Sequence, residues 1–218
     1  ILESCIIGAF AANDLFLFYV FFEAMLFPIY FLIGRFGGPQ RAYAAMKFLL
    51  YSLVGGLFML AAMIGLYVVS ARELGAGTFD VVTLTSLNID PATQKMLFLG
   101  FFFAFAVKAP MVPFHTWLPD AAAEATPGTS TLLVGVLDKV GTFGMLHFLL
   151  PIFPEASKFY APIIIVLAVI SIFYGALVAI GQTDVMRLIA FTSISHFGFI
   201  VLGIFVFTSQ GLSGASFY

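Results

Sequence analysis

Apolar runs long enough to cross a bilayer dominate the chain, and short polar punctuation separates them. A membrane-spanning helix needs about 20 mainly apolar residues. By that rule the pattern predicts spans over Leu15–Gly34, Ala45–Ser70, Lys95–Ala123, Thr129–Leu150, Tyr160–Gly181 and Val185–Thr208. Ile1–Ala12 adds a short partial span, giving about seven, and "GLSGASFY" could open another. The connections "ND", "RFGGPQRA", "TPG", "PIFPEASK", "QTD" and "SQG" are tight, whereas Ala71–Gln94 reads as a longer polar loop without an apolar period. Helices joined so closely predict an all-α, polytopic transmembrane helix bundle forming a single domain over 1–218. The chain starts without Met inside the apolar "ILESCIIGAFAA", so it reads as an internal piece of a longer subunit.

Composition agrees with the pattern. Of the 218 residues, 62% are hydrophobic and 9% charged, against roughly 25% charged in soluble domains. Phe occurs 28 times, which suits lipid-facing and helix–helix surfaces. No basic cluster suggests nucleic acid as a partner, and the single Cys5 excludes an internal disulfide or a cysteine metal motif. Neither a G-x-G-x-x-G, a P-loop, an H-E-x-x-H nor Cys/His ligand spacing is present, so no cofactor is expected in this chain. Arg35, Arg41, Lys47 and Arg187 fall at one set of span ends, and Arg72, Lys95 and Lys158 at the other. That difference weakly favours a cytoplasmic position for the first group.

The Lys95–Ala123 segment departs from the rest. Its charge-free run "MLFLGFFFAFAV" leads straight into "KAPMVPFHTWLPDAAAEATPG". Pro110, Pro113 and Pro119 each remove an amide donor and crowd the preceding turn. Non-helical backbone at membrane depth is tolerated only against protein or a wet cavity, so a proline-broken helix is expected just after Lys108. Asp120, Glu124 and the "TPG" turn read as its solvated end.

Three charges fall at mid-span: Glu23, Lys108 and Lys139, with Asp138 beside the last. A charge at the helix centre is costly, and it usually faces the bundle interior or a water file. Two readings stand side by side. Glu23 and Lys108 could form a structural ion pair that fixes packing, or a proton relay in which one group's charge sets whether the other holds its proton. His115 lies on the face of Lys108 if the helix continues through the break, and His196 sits in "FTSISHFGF" among Thr192, Ser193 and Ser195. Histidine passes protons near neutral pH, yet each could equally make an interhelical hydrogen bond. His147, near a span end, reads as such a packing histidine.

Four strings carry a resemblance: "YVFFEAMLFPIYFLIG" (19–34), "KAPMVPFHTWLPDAAAEA" (108–125), "GVLDKVGTFGMLHF" (135–148) and "DVMRLIAFTSISHFGF" (184–199). They resemble the antiporter-like subunits of respiratory complex I (NADH:quinone oxidoreductase), most closely the M-type, and "MKFLLYSLVGGLFMLAAMIGLYV" (46–68) points the same way. Mrp-type cation/proton antiporter subunits and membrane hydrogenase subunits share the central string. The resemblance implies an inverted-repeat antiporter-like fold in a bacterial inner membrane. Glu23 and Lys108 would then be a glutamate–lysine couple, Lys139 the next proton carrier, and His115 and His196 groups lining the same axis. It further implies proton translocation driven by redox chemistry elsewhere, with the other membrane subunits of complex I and the lipid bilayer as partners. No flavin, iron–sulfur cluster or quinone would bind here. The alternative it leaves open is a sodium/proton antiporter subunit of an Mrp-type complex. Phe22, Ala122 and "EATP" (124–127) stand where the family commonly has Trp, His and "EAPT", and Asp138 before Lys139 is unusual.

Overall fold

Short polar residues between the apolar runs become helix caps. Asp14, Asp80, Asp90, Asp184 and Thr208 each accept a hydrogen bond from a backbone amide in the first turn that follows, satisfying donors a helix start leaves free. The structure is a computed structural model describing residues 1–218. Its helices are α1 (Leu2–Ala11), α2 (Leu15–Ala24), α3 (Leu26–Phe36), α4 (Arg41–Leu74), α5 (Val81–Thr85), α6 (Pro91–Lys108), α7 (Trp117–Glu124), α8 (Pro127–Leu132), α9 (Lys139–Gly144), α10 (Leu150–Ile152), α11 (Pro154–Ile180), α12 (Val185–Phe205) and α13 (Ser209–Phe217). There are no strands, only an isolated bridge between Asp14 and Asp80. The all-α transmembrane bundle expected from the sequence is the architecture found.

Five helical segments are long and apolar enough to span a membrane: Leu15–Phe36, Arg41–Leu74, Pro127–Ile152, Pro154–Ile180 and Val185–Phe205. They divide by what surrounds them. Only 28% of the apolar window of α11 is buried, against 61% for α12. Phe173, Leu177 and Ile180 on α11 are exposed, as lipid-facing residues would be. α12 lies inside, packed against α11, α7 and α13, while α4 packs against α3, α6 and α7.

One expectation is met and two need correction. The Lys95–Ala123 segment breaks where expected: α6 ends at Lys108, residues 109–116 are irregular, and α7 follows. Pro119, expected to break a helix, sits in the first turn of α7, where a missing amide donor costs little. The polar Ala71–Gln94 stretch holds structure of its own: α4 runs to Leu74, Gly75 closes it in the left-handed conformation at φ 79°, and α5 follows. In α5 the Thr83 hydroxyl and amide both donate to Asp80, holding that carboxyl below its usual range.

Two further irregularities escaped the apolar pattern. The Leu15–Phe36 span is interrupted at Met25, where Pro28 lacks the N–H that would bond to Ala24. Pro127–Ile152 contains π-helical turns at Leu133–Leu137 and Met145–Leu149, on either side of α9.

Candidate functional site: a buried row of charges at two broken helices

Lys108 is the last residue of α6 and is 1% exposed. Its ammonium nitrogen has no hydrogen-bond partner and lies 4.9 Å from the ring centroid of Phe22 and 5.8 Å from that of Phe48. The proline break beside it is sealed by protein groups. The Trp117 indole donates to the Val107 carbonyl at 2.9 Å, and the Met111 amide reaches the Ala106 carbonyl at 3.1 Å. The Val112 amide, freed from any helix, donates to the Ser171 hydroxyl on α11 at 2.9 Å. The Ala106 and Val107 carbonyls and the Val112 amide thus find protein partners at the break.

Glu23 approaches from α2, one turn before Pro28 and just ahead of the interruption at Met25. Its Oε1 is buried and unpartnered. The carboxylate occupies the space that a β-carbon on Gly56 of α4 would fill, so the glycine makes room for it. Glu23 and Lys108 act on one another electrostatically. They do not close into an ion pair: both salt bridges in the chain belong to Asp120. The expectation of a contact pair locking two helices is therefore not met in this geometry.

A second carboxylate is enclosed next to the end of α6. Asp138 is 0% exposed, and neither of its oxygens has a partner. It interacts with both Lys108 and Lys139. Helix α9 presses against the end of α6 here, since a β-carbon on Gly141 would lie 2.7 Å from the Ala109 amide nitrogen. Lys139, the next residue, points elsewhere: its ammonium donates to the Tyr218 carbonyl at 3.1 Å and lies 5.3 Å from the Phe197 ring. The sequence noted Asp138 only as Lys139's neighbour. Its charge inside an apolar run was the available signal.

The histidines part company. His115 is buried, with Nδ1 unpartnered and its ring edge-on to Tyr174. Because residues 109–116 are not helical, its shared face with Lys108 does not hold. His196 is exposed and edge-on to Tyr218. His147 stacks on Phe143. No group of three or more His, Cys, Asp or Glu is arranged to hold a metal.

Asp120 and Glu124 are not a solvated helix end. Asp120 bridges Lys47 on α4 at 2.7 Å and Arg187 on α12 at 2.6 Å. Glu124 accepts from the Gln40 amide at 2.8 Å and binds the α3–α4 turn.

Residues 12–218 match the family described as NADH:quinone oxidoreductase/Mrp antiporter, TM. The chain belongs to this family. As a member it is an integral membrane protein, and its charged row at broken helices lies within the matched region. NADH-quinone oxidoreductase subunit M of Mycobacterium tuberculosis is 60% identical over 224 residues, covering 100% of this chain and 40% of that protein. A chain of respiratory complex I from Thermus thermophilus with bound NADH superposes with TM-score 0.91 at 39% identity, over 98% of this chain and 45% of that one. A chain of the Mrp complex from Dietzia sp. DQ12-45-1b gives TM-score 0.86 at 27% identity, over 100% and 40%. This antiporter-family chain therefore spans less than half the length of these relatives.

Proposed function

We propose that the chain is part of an M-type, proton-translocating subunit of a bacterial NADH:quinone oxidoreductase in the inner membrane. It works with the other membrane subunits and binds no redox cofactor itself. One observation carries the reading: Lys108 is buried, Glu23 is half-buried with its Oε1 enclosed, and these two groups of opposite charge stand unpartnered, each beside a broken helix. A structural pair should close, because an open buried charge gives up the attraction that offsets its desolvation. An open pair suits proton transfer, since small movements of Glu23 change how readily Lys108 holds its proton. Protons would pass from Lys108 towards Lys139, with His115 and His196 as accessory groups, while quinone reduction elsewhere drives the couple. The higher identity to subunit M than to the Mrp chain supports this assignment over a sodium/proton antiporter.

The test is Lys108→Ala in the full subunit within the intact complex. Proton pumping coupled to quinone reduction should fall by about 100-fold, the usual scale for losing a proton-transfer group, with assembly preserved on native gels. Unchanged pumping overturns the relay. Sodium-dependent transport in vesicles without an electron donor would instead assign the antiporter role.

A further inference from the structure

Asp138 is the most completely enclosed ionisable side chain of the row, yet the Glu–Lys–Lys scheme gives it no task. Both oxygens are buried without a partner, in a protein interior where an unpaired carboxylate is costly to keep charged. Its place beside the α6 break is specific. Successive side chains on a helix point about 100° apart, so one step along the backbone carries the row from one face to another. Asp138 is fully buried one turn before Gly141, which packs on the end of α6 at Ala109 and Phe105, while Lys139 reaches Tyr218 and Phe197. A π-helical turn ends at Leu137, and the Asp138 amide bonds back five residues to Leu133 at 3.2 Å. Such turns shift the facing of the residues after them and recur at functional sites. Here the shift delivers a carboxyl to the α6 break.

We propose that Asp138 is a proton-carrying residue that links Lys108 to Lys139. This rests on the relay proposed above and adds a step to it. With Lys108 as ammonium, Asp138 as carboxylic acid and Lys139 as free amine, the Asp138 O–H breaks and an N–H forms on Lys139, directly or through a water. Asp138 is left as a carboxylate facing the Lys108 ammonium. A Lys108 N–H then breaks and its proton re-forms the Asp138 O–H, leaving Lys108 as free amine and Lys139 as ammonium. One proton has advanced from lysine to lysine, and net charge is constant throughout. The anion exists only while two ammonium groups flank it, which is when it is least costly.

The experiment compares Asp138→Asn, Asp138→Glu and Lys108→Ala in the intact complex, measuring pumping and quinone reduction. Asparagine keeps the shape but cannot carry a proton, so pumping should fall at least about tenfold and recover with glutamate. Redox-difference infrared spectra of the unsubstituted complex should show a carboxylic-acid band that is absent in Asp138→Asn and displaced in Asp138→Glu. Displacement of the band in Asp138→Glu, which keeps the carboxyl, carries the assignment where the asparagine variant assembles poorly. Normal pumping in Asp138→Asn, or no band attributable to Asp138, overturns this proposal. If Lys108→Ala abolishes pumping while Asp138→Asn does not, only the Asp138 step falls. If Lys108→Ala pumps normally, the whole relay falls.

Discussion

At the scale of single residues, the site depends on small side chains as much as on charged ones. Gly56 leaves the space that the Glu23 carboxylate occupies, and a β-carbon there would collide with it. Gly56→Ala should displace Glu23 and cost about 1–3 kcal/mol as overpacking, lowering pumping in assembled complex. Gly128→Ala is the control, because nothing lies within 4 Å of its would-be β-carbon; pumping there should be unchanged. Glu23, Lys108 and Lys139 were legible in the sequence because a charge inside an apolar run has few bland explanations. What one chain of letters could not show was that Gly56 adjoins Glu23, a contact between helices far apart in sequence.

At the scale of elements, the proline break was legible and its sealing was not. Proline chemistry is local and announces the lost donors. The partners that replace them, Trp117 for Val107 and Ser171 for Val112, depend on how the chain folds back. Trp117→Phe keeps a ring against Phe48 but leaves the Val107 carbonyl bare. The lost hydrogen bond is worth about 1 kcal/mol, so amides in 105–117 should exchange about fivefold faster. Unchanged exchange would mean that the indole does not hold the break shut. The π-helical turns around α9 were also invisible beforehand, since an inserted residue leaves a uniformly apolar stretch looking the same.

At the scale of the whole molecule, Asp120 fastens three helices. It belongs to α7 and holds Lys47 of α4 and Arg187 of α12. The sequence grouped Lys47 and Arg187 at one set of span ends, and their shared partner agrees with that grouping. It placed Asp120 in solvent because polar residues after a span usually lie there. Asp120→Asn should destabilise the purified complex by about 1 kcal/mol at low salt, as partly exposed pairs do. The difference in thermal stability from the unsubstituted complex should shrink as ionic strength rises. A difference independent of salt would point to packing rather than charge. The apolar pattern gave the span order well because lipid enforces it on every crossing helix. It could not distinguish α11, with its lipid-exposed face, from the more enclosed α12, since both are apolar all round.

The sealed break beside Lys108 also limits the clock on which this site can run. Straightening or swinging a helix half would require several internal hydrogen bonds to be surrendered together, a collective event of microseconds to milliseconds. Rotation of the Glu23, Lys108 and Asp138 side chains needs none of them broken, because those groups hold no hydrogen bonds through their orphaned atoms. The backbone can then serve as a fixed frame, with the moving parts reduced to a few side-chain torsions and the protons they carry.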